Sequence, residues 1–120
     1  MTNLSELDPD ALTRLDKLGG PGFAQRIIGI FLTEAPRRAA DAQRAVEARD
    51  GHALAHAVHA LISSAGNLGA AGLADYARQL EREAELGRWE VLPERVDRLV
   101  EILQVLQTRL LQSAAKRTGT

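Results

Sequence analysis

At 120 residues the chain is the size of one domain, with a core to bury and no room for two. Its 45% hydrophobic residues include only 3% aromatics and no cysteine, which favours a helical core of Leu, Ile, Val and Ala and excludes disulfides, thiolate chemistry and cysteine-ligated zinc. A formal charge of −1 with 26% charged residues argues against a nucleic-acid binder, which is basic.

In chain order, the first predicted helix starts at Asp8-Pro9, with Asp as cap and Pro at the first helical position. Leu12, Leu15 and Leu18 form its apolar side, and Gly19, Gly20 and Gly22 end it. A second helix carries the apolar stripe Phe23, Ile27, Ile28, Phe31 and Leu32. Pro36 lacks a backbone donor, so a kink or break is expected there, with the helix resuming through Ala39 to Val46 and ending near Asp50-Gly51. The third helix runs from about Gly51 to Asn67, buries Leu54, Val58, Leu61, Ala65 and Leu68, and is capped by Gly69. The fourth takes Leu73, Tyr76, Ala77, Leu80 and Ala84 as its inner face and stops at Gly87; Trp89 and Pro93 punctuate the loop that follows. The fifth, from about Pro93 to Ser113, turns Val96, Leu99, Val100, Leu103, Leu106 and Leu110 inward, with Ile102, Val105 and Leu111 off that stripe. A disordered tail is expected from about Lys116.

Short connections between amphipathic helices favour antiparallel neighbours. The expected fold is all-α: an up-and-down antiparallel four-helix bundle with a short additional N-terminal helix, as a single domain over residues 1–120. No run of about 18 apolar residues is present to span a membrane. The start, MTNLSELDPD, lacks the basic and apolar regions of a signal peptide, so a cytoplasmic protein is expected.

One residue of the third helix stands apart from its core stripe. At about 100° per residue, His59 lies roughly 140° from the centre of the face formed by Leu54, Val58, Leu61, Ala65 and Leu68. An imidazole held there is a nucleophile that a partner protein can reach. The surrounding residues, His59, Leu61, Ser64, Ala65, Leu68, Gly69, Ala70, Leu73, Leu80 and Glu81, are in register with the signature of the histidine-containing phosphotransfer (HPt) domain family, which the segment resembles. Leu7-Asp8-Pro9 and the stretch Phe31 to Pro36 are also similar to that family.

The resemblance implies a phosphocarrier and not an enzyme in its own right. His59 would accept a phosphoryl group from a receiver-domain aspartate and pass it to another receiver, the partners being receiver domains of a hybrid sensor kinase and/or response regulator. No cofactor is expected on this chain, Mg²⁺ being brought by the receivers, and the carrier is expected to be a monomer. Glu81 is the candidate to orient the ring through its other N–H, against the plain alternative of an ion pair with Arg78 or Arg82. Two positions depart from the family signature: Ile62 stands in place of its lysine and Ser63 in place of its glycine. Loss of that lysine is worth on the order of 1–3 kcal/mol of phosphohistidine stabilisation unless another donor substitutes. Ser63 and Ser64 are candidate supporting donors, although a helical Ser often bonds back to its own backbone.

His56, Ile62, Ser63, Gly66 and Asn67 are the candidate docking residues around the imidazole, Ile62 either as an apolar collar or as packing against the neighbouring helix. Two other readings stand beside the relay. One is a phosphate-incompetent interaction module of the same fold; the other is a metal-binding bundle, through His52, His56 and His59 at spacings of four and three. A plain helical scaffold or dimeriser is the bland alternative. No hydrolase machinery and no phosphate-cradling glycine loop is legible.

Overall fold

The computed structural model describes residues 4–118. All regular structure among them is helical: α1 Pro9–Gly19, α2 Phe23–Glu47, α3 Gly51–Asn67, α4 Ala71–Glu85 and α5 Leu92–Thr118. The helix starts follow from local chemistry. Asp8 accepts from the Asp10 N–H and places Pro9 at the first position of α1. Gly22 offers no side chain to cap α2, and Asp16 of α1 supplies the acceptor instead, taking the Ala24 N–H at 2.9 Å. Asp50 caps α3 through the Ala53 N–H at 3.0 Å.

Pro36 does not break α2, which is one helix of 25 residues. The reason lies in its buried stripe. Ala24, Ile28, Phe31, Ala35, Ala39, Ala42 and Ala45 recur at steps of three and four on both sides of the proline. Pro36 itself is exposed, so continuous burial of that stripe outweighs one missing backbone hydrogen bond.

The helices α2, α3, α4 and α5 pack as a ring, α2 on α3 and α5, α4 on α3 and α5, and α1 lies against α2. The assembly is 47 × 28 × 22 Å. Every residue predicted for the inner faces of α3 and α4 is buried. On α5, Ile102 joins the core and Val100 is half-buried, while Val105 and Leu111 remain exposed. Leu18, expected on the apolar side of α1, is 83% exposed in its last turn; Ala11 is buried with Leu12 and Leu15 instead. The last helix passes Lys116, where a disordered tail was expected, and reaches Thr118; residues 119 and 120 lie outside the described region.

Gly69 shows how closely the N-terminal segment is seated. It adopts a left-handed backbone, φ +77°, and a Cβ there would lie 2.7 Å from that of Ala11. Its carbonyl accepts the Asp8 N–H at 2.9 Å, tying the entrance of α1 to the turn between α3 and α4. Among the described residues no helix is long and apolar enough to cross a membrane.

Candidate functional site

The turn at Leu68–Ala70 brings α4 back along α3. At the far end the two approach closely at Gly51, where a Cβ would sit 2.7 Å from the Ala84 carbonyl oxygen. Burial of Leu54, Val58 and Leu61 turns His59 outward on α3. Burial of Leu73, Ala77, Leu80 and Ala84 sets Glu81 at the edge of α4.

Across that seam His59 Nδ1 and Glu81 Oε2 are 2.7 Å apart. The imidazole is 71% exposed and the carboxylate 23%. An ionised carboxylate only accepts, so Nδ1 carries the hydrogen and Nε2 keeps its lone pair. The sequence left Glu81 a choice between this ring and a neighbouring arginine. In the structure Glu81 bonds the ring, and Arg78 is bonded to Asp75 at 2.8 Å. The arrangement is a nucleophilic nitrogen of fixed tautomer, facing solvent, with a carboxylate behind the ring to support positive charge.

Beside the ring a groove of about 560 Å³ runs towards the start of α3 and the end of α4. It is lined by Gly51, His52, Ala55, His56 and His59 on one side and by Glu81, Ala84 and Glu85 on the other. Of the predicted docking residues, His56 lines it. Ser63, Gly66 and Asn67 are exposed on the other side of His59 along α3 and do not line it. Ile62 is half-buried and packs against the core.

The Ser64 hydroxyl takes the second of its two expected roles: it donates to the Ala60 carbonyl at 3.2 Å, the backbone bond that helical serines make, and it is about 140° round the helix from His59. It is therefore turned from the ring and its hydrogen is in use. Ser63, about 40° from His59, is exposed. Sequence reasoning missed Glu85 as a groove residue, although its place one turn after Glu81 was a visible signal. Among the described residues no group of three or more His, Cys, Asp or Glu side chains is disposed to hold a metal ion, so the imidazoles of His52, His56 and His59 do not converge.

Comparison with known proteins adds three findings. The family model described as Hpt domain matches residues 26–109. The crystal structure of histidine-containing phosphotransfer protein B (HptB) from Pseudomonas aeruginosa PAO1 has a similar fold, with a TM-score of 0.84 over 92% of this chain and 95% of that one, at 23% identity. No curated protein matches the chain significantly.

Proposed function

Since the chain belongs to the Hpt domain family, whose model spans residues 26–109, we propose that it is a monomeric cytoplasmic phosphorelay carrier with His59 as its phosphoryl-accepting residue. The scaffold on this reading is an up-and-down antiparallel four-helix bundle, α2 to α5, with α1 as the additional short helix. The phosphoryl group comes from the aspartate of one receiver domain, that of a hybrid sensor kinase, and leaves to the aspartate of another, that of a response regulator. The receivers contribute Mg²⁺, and the carrier contributes the nucleophile.

The observation that carries this reading is the pairing of an exposed imidazole with Glu81 through Nδ1 at 2.7 Å. In the forward step the Nε2 lone pair attacks phosphorus as the acyl-phosphate P–O bond of the donor breaks and the aspartate leaves as carboxylate. The ring keeps its Nδ1 hydrogen and becomes an imidazolium, whose charge Glu81 offsets. The return step reverses these changes on a second receiver. Helical placement holds the ring ready for in-line attack, so little ordering remains to be done when a receiver docks.

The test is transfer of label from a phosphorylated receiver. The expected result is an acid-labile, base-stable label on the wild type and none on His59→Gln. Tight receiver binding without label on the wild type would instead support the phosphate-incompetent module, for which the absence of a lysine at Ile62 is the motivating feature.

A further inference from the structure

A phosphoryl group on Nε2 brings close to two negative charges to a surface that already holds two carboxylates, Glu81 and Glu85, in the groove on one side of His59. That side repels it. On α3 the positions within one turn of His59, residues 55–63, include no Lys or Arg. The helix that carries Glu81, α4, packs along α3 and brings arginines to this surface.

Two arginines flank Glu81 there. Arg82, the next residue, is rotated about 100° further round the helix from Glu81 and away from the α3 seam. Arg78 lies one turn before Glu81 on the same stripe as Ala74, Glu81 and Glu85, the stripe that borders α3. Because α4 runs back along α3, the turn before Glu81 lies beside the stretch of α3 after His59, where Ile62 and Ser63 sit and the groove carboxylates do not. The Arg78 guanidinium is solvent-facing, 59% exposed, and its visible partner is Asp75, three residues earlier, itself 73% exposed. Such an exposed (i, i+3) pair is weak and exchangeable.

Resting on the reading of His59 as the phosphoryl acceptor, we propose that Arg78 is the phosphoryl-stabilising cation of this carrier, held by Asp75 in the unmodified protein and released to the phosphoryl oxygens when His59 is modified. It takes on from α4 the charge that Ile62 does not supply from α3. Asp75 is then a regulator by competition: it holds the guanidinium in reserve, and the dianionic group on Nε2 outbids one solvent-exposed carboxylate through paired N–H donors. Arg78 is a positioning and stabilising residue, with no part in bond making.

The test uses the full chain and phosphoramidate as the probe, without any receiver. In the labelling step the P–N bond of the zwitterionic reagent breaks, ammonia leaves with the electron pair, and phosphorus bonds to Nε2 of His59. The ring retains its Nδ1 hydrogen. Phosphorus NMR then follows decay of the label and its titration with pH. Arg78→Ala is expected to shorten the label's lifetime roughly 3- to 10-fold, the scale of one exposed charge-assisted hydrogen bond. It also moves the titration of the phosphoryl group to higher pH, because a nearby cation favours the dianion. Arg78→Lys restores most of both, and Asp75→Asn, which frees the guanidinium, lengthens the lifetime. Arg82→Ala leaves both at wild-type values. Equal lifetimes and titrations in wild type and Arg78→Ala overturn the assignment while leaving His59 as acceptor. Absence of label on wild-type His59 overturns both.

Discussion

At the scale of single residues the site divides its labour between Nδ1 and Nε2 of His59. Glu81 does two things through one contact: it fixes the tautomer and it offsets charge on the phosphorylated ring. The variants separate them. Glu81→Gln keeps an acceptor oxygen and loses the charge; Glu81→Ala loses both. Labelling of His59 by a phosphorylated receiver is expected to slow by about 10-fold in Glu81→Gln and by more in Glu81→Ala, within the range typical of residues that orient a reacting imidazole. Stopped-flow transfer rates check this, and wild-type rates in both variants would remove Glu81 from the mechanism. Ile62→Lys is the complementary change. It sets an ammonium one turn from the ring while the lysine stem covers the same apolar surface, and the expected result is a longer phosphohistidine lifetime. His59 was legible from its place off the helical stripe, and Glu81 as its candidate partner from the resemblance to the HPt signature, with a neighbouring arginine as the alternative. The back-bond of Ser64 was legible only as one of two alternatives, because a hydroxyl's choice between a phosphate and its own backbone is decided by rotation about the helix and not by proximity in sequence.

At the scale of elements, α2 and α3 repay inspection. Pro36 leaves Leu32 without its usual backbone donor inside α2, yet the helix is continuous. Pro36→Ala restores that donor at an exposed position, gaining up to about 3 kcal/mol of helix propensity and losing about 1 kcal/mol through a more flexible unfolded chain. A net gain of about 1–2 kcal/mol is expected, read as a higher Tm or denaturation midpoint. Asp50→Ala acts in the other direction. It strips the cap from the helix that carries His59 and is expected to cost about 1 kcal/mol, with faster amide exchange confined to the first turn of α3. The sequence made the start of α1 plain, since Asp8-Pro9 carries its capping chemistry locally, and placed the start of α3 at Gly51 without reading Asp50 as its cap. It allowed a break at Pro36 that α2 does not have, because proline's penalty is local and the apolar stripe that outweighs it is spread over seven buried residues. It could not show that α2 begins under a borrowed cap, because Asp16 belongs to the preceding helix.

At the scale of the whole molecule, the ring of helices was readable from short connections and consistent inner faces, whereas the contacts that tie one helix to another's backbone were not. The Tyr76 hydroxyl is such a contact: from α4 it donates to the Arg95 carbonyl of α5 at 2.8 Å, with the Arg95 guanidinium 5.9 Å from its ring. Burial raises the Tyr76 pKa above its ordinary value of 10.0, and the opposing pull of Arg95 does not cancel it. The direction of linkage follows. Above pH 10 the unfolded chain releases the phenolic proton first, while the folded protein still holds it. Stability from Tyr76 is therefore complete below the unfolded value and declines as pH rises towards the folded one. Because Tyr76 is the only tyrosine in the chain, near-ultraviolet absorbance of the phenolate reads this group alone. Its midpoint in the folded protein is expected above that of the urea-unfolded chain. Tyr76→Phe should lose about 1 kcal/mol at neutral pH, the worth of one hydrogen bond, and should flatten the decline in stability just above pH 10. Coincident folded and unfolded midpoints, or an alkaline decline that persists unchanged in Tyr76→Phe, would show that the junction of α4 with α5 does not depend on this phenol.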